Sequence, residues 1–137
     1  MLVKEAMRLG TEWVGPETKV KDMAVKMRDL AIGSLAVCND GRLTGIVTDR
    51  DIALRCCADS KDPAKTNAKD IMTKDIAWCY SDQDIEDATH LMEERHIRRL
   101  PVLDRTEKLV GFLSVDDLSR KGSFNLAGEV IQAAVAH

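Results

Sequence analysis

The sequence predicts an α+β protein built from two pseudo-symmetric β-α-β-β-α repeats packed sheet to sheet, followed by a short C-terminal helix. Three observations carry this: an ordered internal repeat, a turn-linked pair of apolar runs in each copy, and a hydroxyl–carboxylate pair at the end of each second run. "VKEAM" (3–7) aligns with "AKDIM" (68–72) at a shift of 65, and at that shift Trp13 meets Trp78, Asp22 meets Asp87 and Met27 meets Met92. Ile32, Leu35 and Val37 then meet Ile97, Leu100 and Val102. One inserted residue in the second copy's turn moves the register to 66, where Gly45 meets Gly111 and Asp51 meets Asp117. Ordered matches with a single gap in a turn are the mark of duplication.

Each element follows from local pattern. A short amphipathic start and a strand-like piece ("TEWV", then "IAWCY") lead into a helix. In copy one, Val20, Met23, Ala24, Met27 and Leu30 recur at the spacing of one buried helical face. In copy two, Asp82 and Asp84 stand at the front of the matching helix, where acidic groups complement the helix dipole. "SLAVC" and "LTGIV" are separated by "NDGR", whose Asn, Asp and Gly tolerate positive φ, so a hairpin is predicted. A second helix starts after Thr48. Repeat one is placed at 1–62 and repeat two at 66–122. A polar spacer at about 58–68, carrying Pro63, separates them. A half of about sixty residues has a marginal core alone, so the halves are expected to depend on each other. The extension 123–137 shows Phe124, Leu126, Val130, Ile131 and Ala134 on one helical face, weakened by Gly128, and covers either the core or a dimer seam.

Composition removes several function classes. The net charge is −3 with five aromatics (Trp13, Trp78, Tyr80, Phe112, Phe124) and no long basic run, which argues against nucleic acid as a partner. No apolar stretch reaches the roughly eighteen residues a membrane span requires, and "MLVKEAMRLG" is unlike a signal peptide. The four cysteines, Cys38, Cys56, Cys57 and Cys79, include no CxxC pair, so reduced thiols and a cytoplasmic location are expected. His90 and His96 lack partners at zinc-site spacing. Trp13 and Trp78 are expected to pack the core. Neither a nucleophile elbow, a phosphate loop nor a paired-acid arrangement stands out, so no enzyme is expected.

The repeated junctions "GIVTDRDI" (45–52) and "GFLSVDDL" (111–118) place Thr48 three residues before Asp51, and Ser114 three before Asp117. A hydroxyl followed three residues later by an acid forms a capping box that starts a helix. The same spacing also faces both groups to one pocket, the hydroxyl near a phosphate and the carboxylate accepting from two ribose hydroxyls. The two roles are compatible. Arg55 and Lys121 follow the aspartates by four residues, the spacing of a helical ion pair.

The "VKEAM" and "AKDIM" starts, the run "IRRLPVLD" (97–104) and the two junctions together resemble the cystathionine-β-synthase (CBS) domain; the chain resembles a tandem CBS pair, or Bateman module, over residues 3–121. The resemblance implies two clefts between the halves, taking an adenine-containing nucleotide (AMP, ADP, ATP, NAD or S-adenosylmethionine). It implies ribose contact by Asp51 and Asp117, and phosphate contact by Thr48 and Ser114. Basic residues at the start of the IRRLPVLD strand also serve phosphate in the family, which points to Arg98 and Arg99. Because side chains alternate along a strand, one of the two is expected in a given cleft. Copy one has Gly33 and Ser34 there, so the clefts should differ. Family members associate through their helices, which implies a homodimer with Met23, Met27, Ile52 and Cys56 on or beneath those faces. The expected function is a regulatory sensor requiring no cofactor or metal and passing nucleotide binding to an effector protein. The alternatives are a phosphoryl-transfer or hydrolytic enzyme and a ligand-free structural dimer.

Overall fold

The computed structural model describes residues 1–9, 12–121 and 124–135. Thr11 of "TEWV", the boundary residue Gly122, and Ser123, Ala136 and His137 of the predicted extension lie outside them. The elements are α1 (Val3–Ala6), β1 (Arg8–Leu9), β2 (Trp13–Val14), α2 (Val20–Leu30), β3 (Ser34–Asn39), β4 (Arg42–Thr48) and α3 (Asp49–Asp51), which runs on as a π-helical stretch, Ile52–Cys57. Then come α4 (Ala68–Ile71), β5 (Cys79–Tyr80), α5 (Ile85–Arg95), β6 (Arg99–Leu103), β7 (Leu109–Ser114), α6 (Val115–Arg120) and α7 (Phe124–Val135). The fold is α+β, with two sheets and a C-terminal helix.

The sheets repeat one plan. In β2-β3-β4, β2 runs parallel to β3 and β3 antiparallel to β4; β5, β6 and β7 do the same. The "NDGR" hairpin forms, with Asp40 at φ 53° and Gly41 at φ 78°. The longer second turn closes through Asp104, whose Oδ1 accepts from the Thr106 and Lys108 N–H groups at 2.9 and 3.1 Å. The Thr106 hydroxyl bond, then these backbone bonds and the charge of Lys108, hold the Asp104 carboxyl below the usual carboxylate range. Helices α2 and α5 end at matched left-handed residues, Ala31 (φ 55°) and His96 (φ 57°).

The chain divides into two compact units. One is Glu12–Ile76; the other joins the described residues of Met1–Thr11 to those from Ala77 on. Each has its own buried cluster, so the compact units and the sequence repeats are different partitions of the chain. Val3 and Ala6 of repeat one lie in the cluster formed by Leu100, Val102 and Leu113, while Ala68 and Ile71 of repeat two lie in that of Leu35, Val37 and Val47. The first turn of each repeat thus completes the unit built mostly from the other.

The junction glycines explain how. β1 pairs with β7, Leu9 opposite Gly111, and a Cβ at Gly111 would lie 2.3 Å from the Arg8 carbonyl oxygen. At Gly45 the matching Cβ would lie 2.6 Å from Met72 Sδ, where Thr73 bridges Ile46. Only glycine lets the crossing segment approach this closely.

Three packing expectations change, and a fourth is narrowed. Trp13 and Trp78 are 45 % and 37 % exposed rather than core, and their chain neighbours Val14 and Cys79 take the buried places instead. On α2 the buried face is Val20, Met23 and Met27; Ala24 and Leu30 are exposed. Met23, Met27 and Cys56 are core residues and Ile52 packs against them, so they lie beneath the helical faces. On α7 the buried residues are Ala127 and Val130, with Leu126 packed against the core; Phe124 is 71 % exposed and Ile131 41 %. The helix therefore covers the core of its own unit, against α5 and α6. His96 Nδ1 donates to the Ala133 carbonyl at 3.0 Å across α5 and α7. On the same pair, Glu93 has a buried Oε1 without a hydrogen bond, and burial with neighbouring Glu129 pushes its carboxyl pKa up. No helix among the described residues is long and apolar enough to cross a membrane.

Candidate ligand-binding site

Both junctions fold as capping boxes. β4 ends at Thr48, whose Oγ1 accepts the Asp51 N–H at 3.1 Å, while the Thr48 N–H donates to Asp51 Oδ2 at 2.9 Å. β7 ends at Ser114, whose Oγ accepts the Asp117 N–H at 3.2 Å, while its own N–H donates to Asp117 Oδ2 at 2.8 Å. Two otherwise unpaired donors are satisfied each time, which is why strand turns to helix here. The local reading is thus met twice in full.

Beyond the box the aspartates part company. The Ser114 hydroxyl donates to Asp117 Oδ2 at 2.9 Å. Asp117 Oδ1 accepts from Arg120 Nη2 at 2.7 Å and Arg8 Nε at 3.2 Å, and the side chain is 1 % exposed. A buried carboxylate is tolerated because two guanidiniums and the backbone surround it. Asp51 is 14 % exposed, and its Oδ1 faces the Arg55 Nε at 3.7 Å. Arg55 turns its Nη1 to the Ile71 and Met72 carbonyls, at 3.1 and 3.4 Å. The four-residue ion pair forms in copy one; in copy two Arg120 takes the place expected of Lys121. α6 ends at Arg120, and Lys121 has left helical geometry at φ −88°, ψ 11°.

Arg98, Arg99 and Ser114 do converge. With Val115, Asp116 and Ile131 they line a depression of about 260 Å³. Both arginines reach the same depression, against the expectation from alternation, because Arg98 sits in a bend ahead of β6 and the pleat begins only at Arg99. Arg99 also lies over the Phe112 ring, 6.0 Å from its centroid. In copy one the matching backbone bond is kept: Asp49 N–H donates to the Gly33 carbonyl at 3.0 Å, as Val115 does to Arg98 at 3.1 Å. The side chains are not kept. A Cβ on Gly33 would lie 3.2 Å from Asp49 Oδ2.

Three residues at these junctions escape sequence reasoning. Arg8 meets an aspartate 109 positions away, a distance no local pattern reports. Arg120 stands at the three-residue spacing, which the sequence shows as plainly as the four-residue one. Asp49 is visible as the acid that replaces Val115 in the aligned repeats.

Two of the four thiols are held in the protonated form by burial. Burial pushes the Cys38 thiol up to about 11 and the Cys79 thiol up to about 12, so both stay protonated at neutral pH. Among the described residues no group of three His, Cys, Asp or Glu side chains could hold a metal ion.

The family model described as CBS domain matches twice, at residues 3–56 and 68–123. The chain belongs to the CBS domain family. Its relatives include the CBS domain-containing protein YhcV of Bacillus subtilis, 34 % identical over 117 residues, covering 85 % of this chain and 82 % of that protein. Hypoxic response protein 1 of Mycobacterium tuberculosis is 32 % identical over 118 residues, covering 85 % and 82 %. A crystal structure of hypoxic response protein I with two coordinated zinc ions superimposes at a TM-score of 0.81, with 31 % identity, covering 88 % of this chain and 98 % of that one. A crystal structure of CBSX2 in complex with AMP matches at a TM-score of 0.75 and 27 % identity, covering 88 % and 94 %.

Proposed function

We propose that this CBS pair is a regulatory module that binds an adenine-containing nucleotide and passes its occupancy to an effector protein, without catalysing a reaction of its own. The observation that carries this reading is the meeting of Arg98, Arg99 and Ser114 in one depression at a helix-starting junction. Guanidinium groups and a hydroxyl are the donors a phosphate needs. The AMP complex of the similar CBSX2 supports adenine as the base. Thr48 is the hydroxyl that borders the ligand in repeat one, and Asp51 the ribose acceptor. Asp117 takes the same role only when Arg8 and Arg120 release it.

The acting form we propose is a homodimer in the cytoplasm, the compartment that suits the free thiols of Cys38, Cys56, Cys57 and Cys79. Calorimetry of the full chain against AMP, ADP, ATP, NAD and S-adenosylmethionine tests the reading, with light scattering on the same samples. Micromolar binding of one or more, with the nucleotide recovered intact, is the expected result. Silence across the panel favours the structural dimer, and recovery of hydrolysed nucleotide the enzyme.

A further inference from the structure

We infer that the two repeats select different chemical classes of ligand: the repeat-two junction takes a phosphate-bearing ligand, and the repeat-one junction excludes phosphate and takes an uncharged nucleoside. This division rests on the nucleotide reading and sharpens it. At the repeat-two junction two exposed guanidiniums, Arg98 and Arg99, share a depression with Ser114 and one carboxylate, Asp116, and the first helical residue is the apolar, buried Val115. At the repeat-one junction Gly33 and Ser34 stand in their places, and Asp49 replaces Val115. The Asp49 carboxylate lies over Gly33, 3.2 Å from where a Cβ would be, so a negative group borders the position from which the Arg98 side chain would start. Its Oδ1 accepts the Arg50 backbone N–H at 2.8 Å, an uncharged donor that does not neutralise it. A phosphate brought to this junction meets a like charge with no guanidinium at positions 33 and 34 to offset it, where repeat two sets two guanidiniums against the single carboxylate of Asp116.

The ribose side divides the other way. Asp117 is 1 % exposed, and both its oxygens are taken by Ser114, Arg8 and Arg120. Asp51 is 14 % exposed, and its Oδ1 faces one guanidinium at 3.7 Å, so it keeps acceptor capacity for vicinal hydroxyls. Repeat one thus offers an acceptor without a phosphate cradle, and repeat two a phosphate cradle whose acceptor is already engaged.

The test is calorimetry of the full chain with adenosine, AMP, ATP and inorganic tripolyphosphate, on the parent, on Arg98→Ala/Arg99→Ala and on Asp49→Asn. Both arginines are exposed, and Asn keeps the shape of Asp49, so thermal melts of the variants should match the parent. In the parent, one class of site should bind ATP over AMP over adenosine, and tripolyphosphate should compete there. Losing both arginines should weaken ATP and tripolyphosphate by about ten- to a hundredfold and leave adenosine within about twofold. Asp49→Asn should strengthen AMP at the other class by about tenfold. Parent-like ATP and tripolyphosphate binding without the arginines, or unchanged AMP binding in Asp49→Asn, overturns the division. If adenosine binds nowhere while tripolyphosphate still requires Arg98 and Arg99, the nucleotide reading falls and the anion site of repeat two stands.

Discussion

Asp51 and Asp117 occupy the same place in two copies of one unit, and each closes the same capping box, yet their surroundings are unlike. Around Asp117 an arginine from the crossing segment and one from its own helix close over a buried carboxylate. Around Asp51 the position matching Arg8 is Thr73 and that matching Arg120 is Leu54, leaving one looser arginine four residues on. The box itself is kept in both copies because it begins a helix, a need that does not change. What lies outside the box is free to diverge, and there one copy gains structural ion pairs while the other keeps an accessible acceptor. A shared motif therefore fixes local geometry, and its neighbours decide what that geometry is used for.

The largest test of this comparison is to cut the chain between the repeats. Fragments 1–62 and 66–137 each lose the first turn that completes their core, so neither should melt cooperatively near the parent's temperature by circular dichroism. Fragment 12–76 keeps its whole buried cluster and should show a cooperative transition. Equal behaviour of 1–62 and 12–76 would break the partition. Next comes a pair of glycine substitutions. Gly111→Ala presses on backbone at 2.3 Å and should cost about 2–3 kcal/mol, whereas Gly45→Ala presses chiefly on the flexible Met72 side chain, with the Thr73 carbonyl oxygen at 3.0 Å, and should cost about 1 kcal/mol. Urea titration of both variants measures the gap, and equal losses would remove the asymmetry.

The aspartates themselves give the third test. Asp117→Ala removes a buried acceptor of several hydrogen bonds and should cost about 2–3 kcal/mol of stability. Asp51→Ala should cost only about 1 kcal/mol, the value of a cap. It should also weaken nucleotide binding by about ten- to a hundredfold, read by calorimetry. A larger stability loss for Asp51 than for Asp117 would reverse the contrast drawn above. The smallest effect belongs to Glu93. Its carboxyl is held above its unfolded value, so the folded state retains its proton longer, and stability falls as pH rises through that range. Glu93→Gln should therefore raise Tm at pH 7 by on the order of 2 °C, with the gain fading as the medium is acidified through the carboxylate range. A gain that grew on acidification would contradict the burial of that side chain.

Much of this was legible before any coordinates. The repeat, the hairpin at Asp40–Gly41 and the boxes at Thr48 and Ser114 are all written in short-range pattern. Three things were hidden for physical reasons. The exposure of Trp13, in a two-residue strand, and of Trp78, just ahead of one, depends on which face is covered, and residue type alone suggests the wrong face. Both arginines at 98–99 reach one depression because a bend precedes the strand, and pattern reading places strand starts poorly. The exchange of first turns rests on pairings between Leu9 and Gly111 and between Ile46 and Thr73, far apart in the chain. The glycines beside them belong to the repeated motif, but nothing local says what passes over them.

That exchange also orders events in time. The unit Glu12–Ile76 is continuous, so all its contacts are present once Ile76 has been synthesised. The other unit is split: Val3, Ala6 and β1 must wait for β7, about a hundred residues later, before their apolar groups find a partner. Closing so long a loop is entropically slow, and non-local strand pairing of this kind retards folding. During that wait the opening residues of a nascent chain hold an unsatisfied strand edge and an exposed apolar turn, a hazard for association between chains. The extreme brevity of β1, two residues with an arginine at its start, limits how much edge is on offer. The same arginine that later closes over Asp117 thus keeps a positive charge on the strand until its partner arrives.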